Sequence, residues 1–144
     1  MLVALRDGTK TQTRRLALPS GRRPVEPGTI LYVKEALVRT RLLDLTCYRV
    51  DNEAVVDPAT GEWADWRWQR AVLPAMFCPR WASRDTIRIT EVRCEPLHAI
   101  TEPDARAEGV ADRAAYAALW DTIYGTKAPW DSNPFVWVLS FERL

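Results

Sequence analysis

The sequence predicts a small α+β domain in which short strands close towards a barrel and short helices flank them. Three observations carry this expectation. Residues 135–142 place Phe135, Trp137, Leu139 and Phe141 on one face of a strand, enough large apolar groups for a central position. Residues 86–95 also alternate, with Ile87 and Ile89 in one phase and Val92 and Cys94 in the other. The flip at Thr90-Glu91 predicts a β-bulge, the device that turns a corner in a tightly closing small barrel. Between these strands, Tyr116, Leu119, Trp120 and Ile123 recur at i, i+3, i+4 and i+7, an apolar stripe expected to face the core from a helix over residues 113–124.

The remaining elements follow in order. Residues 1–6 read as a short helix stopped by Gly8. The stretch from Asp7 to Arg15 contains no hydrophobic residue and is not a core strand. Residues 19–28 hold glycines and prolines among arginines and form a loop. A strand follows over residues 30–34, with Leu31 and Val33 on one face. Asp57-Pro58-Ala59-Thr60-Gly61 is a turn by composition, so residues 48–56 are expected to pair with 63–68 as a hairpin. Trp63, Trp66 and Trp68 do not share one strand face, so at least one lies elsewhere; clamping of the hairpin onto a small core is favoured over base stacking. Thr101 caps a helix, with Pro103 early and Asp104 at the capping-box position; Gly109 ends it. Gly125 ends the helix that carries the apolar stripe.

The chain of 144 residues fits one domain and can bury a core without staples. Its net charge of +1 argues against a generally basic, duplex-binding surface. Charge is nevertheless uneven: Lys10, Arg14, Arg15, Arg22 and Arg23 gather early, either as a solvated basic face or as a place for a phosphate. Three separated cysteines, Cys47, Cys78 and Cys94, and the single His98 provide no zinc-binding spacing. No metal or organic cofactor is expected. An odd number of unclustered thiols suits a reducing compartment. With no signal peptide or apolar span in the sequence, a cytoplasmic location is the expectation.

The polar stretch offers two readings. One is a solvated turn after a short helix. The other is a site for an anionic or carbonyl-bearing ligand, using arginine forks, a lysine point charge and threonine hydroxyls. Here Gly8-Thr9-Lys10-Thr11-Gln12-Thr13-Arg14-Arg15 resembles the G-x-K-T-x-T-x-R motif of ASCH domains, relatives of the PUA RNA-binding domains. Further similarities follow in order. Pro27-Gly28-Thr29-Ile30-Leu31-Tyr32-Val33-Lys34-Glu35 resembles a family strand, and Pro79-Arg80-Trp81-Ala82-Ser83-Arg84 a segment of the phage-type branch. Residues 101–109 resemble the family's short acidic helix and residues 133–141 its closing strand. The resemblance implies one PUA-like (ASCH) domain over residues 1–144, a small β-barrel with flanking short helices; the strand that family members carry before the first helix is either missing or encoded upstream of this start.

ASCH members that remove the acyl group from N4-acetylcytidine use a lysine, a threonine and a glutamate. The resemblance carries these roles to Lys10 as base, Thr13 as nucleophile and Glu108 as the acid that protonates the leaving amine. Neighbouring cations favour a neutral Lys10, and the negative helix end favours a protonated Glu108. Arg15 matches the motif's arginine and is expected, with Arg14, to hold substrate; Gln12 is a candidate for the pyrimidine edge. Tyr32 and Trp81 are candidates to stack the base, with core packing the favoured role for each. In a regular strand Lys10, Gln12 and Arg14 face one way and Thr13 and Arg15 the other, so contact between Lys10 and Thr13 requires an irregular backbone near Thr11-Gln12. The implied partner is an N4-acylated cytosine nucleoside. The alternatives are a module binding single-stranded RNA through Lys10, Arg14, Arg15 and Trp81, and a ribonuclease using the same cleft.

Overall fold

The structure, a computed structural model, describes residues 2–144. It divides into two compact units, one built from the chain up to Leu31 together with Ile87–Leu144, the other from Tyr32–Thr86. The architecture is α+β with antiparallel pairing throughout the registers below, and the first unit holds the site.

In that unit, helix α1 (Leu2–Arg6) precedes strand β1 (Gln12–Leu16). Strands β2 (Ile30–Tyr32) and β6 (Thr86–Pro96), all but one residue of each in this unit, and β7 (Phe135–Arg143) complete a sheet of order β1-β7-β6-β2. The expected helix start, Met1, lies outside the described residues. Strand β7 is central as expected, pairing antiparallel with β1 from Gln12↔Ser140 to Leu16↔Val136 and with β6 from Ile87↔Arg143 to Pro96↔Phe135. The β6–β7 register shifts between Ile89 and Glu91, where the phase of the apolar residues flips.

Two helices cover this sheet. Helix α2 (Glu102–Ala107) opens with the expected capping box. The Thr101 hydroxyl accepts from the Asp104 backbone N–H at 3.2 Å, and the Asp104 carboxylate accepts from the Thr101 N–H at 3.1 Å. Helix α3 (Arg113–Tyr124) is capped by Asp112, whose carboxylate accepts from the Ala115 N–H. The core beneath them joins Leu97, Ile100, Ala105, Tyr116, Trp120, Val136 and Val138. The buried Trp120 indole donates to the Ala128 carbonyl, so its polar edge is satisfied.

Two expectations about facing need correction. Along β7 the fully buried side chains are Val136 and Val138, on the face opposite to the aromatic set; Phe135 is 62% exposed although Leu139 and Phe141 are buried. Along α3 only Tyr116 and Trp120 are in the core, while Leu119 and Ile123 remain 39% and 63% exposed. Periodicity identifies residues sharing a face, but what covers that face depends on the rest of the chain.

The second unit contains a smaller antiparallel sheet of strands β3 (Leu37–Arg39), β4 (Thr46–Tyr48) and β5 (Val72–Leu73), in the order β4-β3-β5. The predicted hairpin is only partly formed. Val56 bridges Trp63 as expected, but residues 46–48 pair with β3, and Leu45 bridges Asp65. The core residues Leu37, Tyr48, Val55, Ala64, Leu73, Cys78 and Ala82 are flanked by half-buried Trp66, Trp68 and Trp81. Trp63 is the tryptophan that lies apart, 59% exposed. Burial pushes the Tyr48 phenol up to about 12, and its hydroxyl donates to the Ala82 carbonyl. Among the described residues no helix is long and apolar enough to cross a membrane.

The corrected facing of β7 has a measurable consequence. Val138→Ala is expected to cost about 2 kcal/mol through lost burial and a residual cavity. Phe135→Ala should cost less than about 1 kcal/mol, although it removes the larger side chain. Denaturant unfolding checks the order; a larger loss for Phe135→Ala would contradict it.

Candidate active site

The site begins with the turn after α1. Gly8 takes a φ of 80°, a conformation that favours glycine, and Thr9 folds back with its backbone N–H and hydroxyl both donating to Asp7 Oδ1. The backbone N–H of Lys10 donates to the Ala4 carbonyl at 2.7 Å. Thr11 then joins two elements: its N–H donates to the Ala107 carbonyl at the end of α2, and its carbonyl accepts from the Phe141 N–H. The backbone flanking Lys10 is therefore fastened to α1, α2 and β7. Gly109, with a φ of 87°, admits close approach at the same place: a Cβ there would lie 3.1 Å from Ala4 Cβ and 3.4 Å from Lys10 Cβ.

This fastening brings Glu108, the C-cap of α2, beside Lys10. Lys10 Nζ donates to Glu108 Oε2 at 2.9 Å, to the Glu108 carbonyl at 2.7 Å and to the Gln12 carbonyl at 3.0 Å. Three acceptors match the three donors of an ammonium group. The sequence-based expectation of a lysine crowded by Arg14 and Arg15 is replaced by a lysine held against a carboxylate, the Glu108 carboxylate that also lies between it and Arg14. Nor is Glu108 an ordinary exposed helix glutamate: it is buried, and Arg14 Nη1 donates to its Oε1 at 3.2 Å.

Arg14 is the centre of the buried network. Its side chain is 0% exposed and pairs with Glu95 at 3.1 Å, Asp104 at 3.3 Å and Glu108 at 3.2 Å. Gln12 Oε1 accepts from Arg14 Nη1 at 2.8 Å, and the Arg14 guanidinium lies 5.9 Å from the Tyr116 ring centroid. Arg93 supports the outer side, with ion pairs to Glu91, Glu95 and Asp104. Burial works to raise the Asp104 carboxyl, but hydrogen bonds from Thr101 and the charge of Arg14 outweigh it and hold the group below its usual value. Burial, reinforced by Glu108, pushes the Tyr116 phenol upward.

The opposite face of β1 is accessible. Thr13 is half-buried and its hydroxyl accepts from Arg15 Nη1 at 3.0 Å; Arg15 is exposed. Lys10, Thr13, Arg14, Arg15 and Glu108 line one cleft of about 50 Å³, walled by Tyr116, Leu119 and Ile123. Lys10 lies before β1, and its side chain reaches forward to the carbonyl of the peptide joining Gln12 to Thr13. Among the described residues, Lys10 makes no hydrogen bond to the Thr13 hydroxyl.

The other proposed contacts are distributed differently. Gln12 and Arg14 are buried and engaged within the protein, so neither presents a free edge to a substrate. Tyr32 and Trp81 belong to the second unit. Trp81 packs there near-parallel to Trp68, with ring centroids 6.5 Å apart, and Lys34 Nζ lies 5.7 Å from the Tyr32 ring centroid. Sequence reasoning missed Glu95 and Arg93 and recognised Asp104 only as a cap. Their shared signal is a charged face on β6 opposite the arginine motif, legible only once β6 and β1 are known to flank β7.

No family model matches the chain, and the search of curated proteins yields no match. Among solved structures, the crystal structure of protein EF3133 from Enterococcus faecalis V583, described as family-model DUF984, is similar in fold. The TM-score is 0.51 at 13% sequence identity, covering 98% of this chain and 64% of that one. This chain thus corresponds to less than two thirds of that protein's length. The likeness shows a small, mostly antiparallel sheet fold.

The lowered Asp104 carboxyl sets the sign of a pH effect. Its contribution to stability is present above its unfolded value of 3.8 and is lost as pH falls through the lower folded value. Asp104→Asn is expected to lose about 1 kcal/mol at pH 7 through the weakened cap. Its stability should approach that of the parent below pH 3.8, as followed by urea unfolding at a series of pH values.

Proposed function

We propose that this chain is an amidohydrolase that removes the acyl group from N4-acylated cytosine nucleosides, carried on a PUA-like, ASCH-type barrel. The observation supporting it most directly is the 2.9 Å Lys10–Glu108 pair in a cleft also lined by Thr13. These are three separated residues of the kinds that such an acyl transfer requires. The order of motifs along the sequence supports the same reading.

In this mechanism a proton passes from Lys10 Nζ to Glu108 Oε2, producing a neutral amine and a protonated acid together. Lys10 then takes the Thr13 proton as Thr13 Oγ1 attacks the acyl carbonyl. Arg15, already donating to that hydroxyl, is placed to stabilise the developing oxyanion. Collapse breaks the C–N4 bond, Glu108 gives its proton to the departing amine, and the acyl group remains on Thr13. Lys10, now an ammonium, again passes a proton to Glu108. The neutral amine takes a proton from water as the hydroxide attacks the Thr13 ester. On collapse Lys10 returns that proton to Thr13 Oγ1, releasing the carboxylic acid, after which Glu108 gives its proton back to Lys10. A cleft of about 50 Å³ suits an acyl group, with the base resting against the exposed Leu119 and Ile123 that line it.

An RNA-binding module using Lys10 and Arg14 on phosphates is less well supported, because both cations are buried against carboxylates. Tight, salt-dependent RNA binding without turnover of N4-acetylcytidine would favour that module over the hydrolase.

The roles separate by substitution. Thr13→Ala should abolish turnover of N4-acetylcytidine, while Thr13→Ser retains part of it. Lys10→Arg should be nearly as inactive as Lys10→Ala, since arginine does not surrender its proton in a protein. The assay is release of cytidine, with folding checked by circular dichroism. Substantial activity in Lys10→Arg excludes Lys10 as the base; substantial activity in Thr13→Ala excludes the nucleophile and leaves direct attack by water.

A further inference from the structure

The cleft that holds Thr13 is small, yet Arg15 also lines a second, larger pocket in the same unit. That pocket measures about 310 Å³, within the ~300–1,000 Å³ range of small-molecule sites. Its lining includes Arg15, Ser20, Arg22, Arg23 and Trp137, and no carboxylate. Arg15 and Trp137 are direct partners in the β1–β7 register, so their side chains share one face of the sheet. Arg22 and Arg23 come from the loop after β1, where Gly21 takes a φ of 61°.

The chemistry of this lining is one-sided. Arg23 pairs with Glu26 at 2.7 Å, but the exposed Arg22 guanidinium meets no acceptor among the described residues. Arg15 spends donors on the Thr13 hydroxyl and the Arg14 carbonyl and makes no ion pair among the described residues. Trp137 carries a buried indole N–H with no hydrogen-bond partner. Arg15 and Arg22, with no ion pair among the described residues, stand beside the paired Arg23 and leave the lining with an excess of positive charge that an anion would complement. Their planar forks suit the oxygens of a phosphate.

We propose that this pocket binds a phosphate group of the substrate, so that the chain acts on a phosphorylated N4-acylcytosine nucleotide, free or within a strand. The identification of the base rests on the amidohydrolase reading; the phosphate subsite does not. Arg15 is the shared wall, presenting one face of the substrate to Thr13 and another to the anion.

The test uses binding, so that it does not depend on turnover. Cytidine, cytidine 5′-monophosphate and a short single-stranded cytidine oligonucleotide are titrated into the intact protein by calorimetry. The parent is expected to bind the monophosphate about tenfold more tightly than cytidine, the scale of one charge-assisted contact. Arg22→Glu combined with Arg23→Glu, both on an exposed loop, should erase that difference and leave cytidine binding unchanged. Equal affinity for cytidine and its monophosphate, no measurable binding of either, or a preference that survives the double substitution would overturn the subsite. A monophosphate preference lost in the double variant, in protein that hydrolyses neither N4-acetylcytidine nor its 5′-monophosphate, would support the subsite and reject the hydrolase. Tighter oligonucleotide binding with a steeper salt dependence would assign the phosphate to a strand; affinity equal to that of the monophosphate would assign it to a free nucleotide.

Discussion

A charge that is wholly removed from water must be met by opposite charge, and in the first unit Arg14 imposes that condition. Its guanidinium has no exposed surface and is met by Glu95 on β6, Asp104 in the first turn of α2 and Glu108 at the end of α2. Removing two ions from water offsets much of their attraction, so such a network contributes geometry more than net stability. Here the geometry is the position of α2. Both ends of this short helix are tied to the same arginine, and the Thr11–Ala107 hydrogen bond fastens its last residue to the chain beside Lys10.

From this follows a division of labour across β1. Strand alternation sends Gln12 and Arg14 inward and leaves Thr13 and Arg15 outward. The inward residues hold the scaffold, while the outward pair, linked by a 3.0 Å hydrogen bond, meets the solvent-facing cleft. Lys10 escapes the alternation because it precedes the strand, and it connects the two sides through Glu108 and the Gln12 carbonyl. The exposed Leu119 and Ile123 fit the same scheme. With Tyr116, Trp120 and Tyr124 they form the largely apolar side of a cleft whose charged groups are Lys10, Arg14, Arg15 and Glu108.

The second unit solves a separate packing problem. Its three short strands provide little apolar surface, and half-buried Trp66, Trp68 and Trp81 cover the core that they form. Arg84 lies over the Tyr48 ring, 3.7 Å from its centroid, and its guanidinium pairs with the buried Glu35 and with Asp51 and Glu53. Of the aromatic residues that suggest base stacking in the sequence, Trp66, Trp68 and Trp81 pack against the core of this unit, whereas Trp63 stays exposed.

Features decided by neighbouring residues are legible in the sequence. The Gly8 turn, the Thr101–Asp104 capping box, the bulge at Thr90-Glu91 and the extent of α3 each depend on a few adjacent backbone groups, and each is found where the residues indicate. The grouping of Lys10, Thr13 and Glu108 was accessible through resemblance in sequence. Its geometry was not, because it depends on contacts between residues nearly a hundred positions apart. The same limit explains Phe135, Leu119 and Ile123: alternation and helical period identify a shared face, but the element covering it comes from elsewhere in the chain. Most plainly, nothing adjacent to Arg14 marks it as buried. A run of polar residues identifies candidate ligands for an anion; only the folded chain decides that Arg14 is met by three carboxylates of the protein itself while Arg15, one residue later, remains outward.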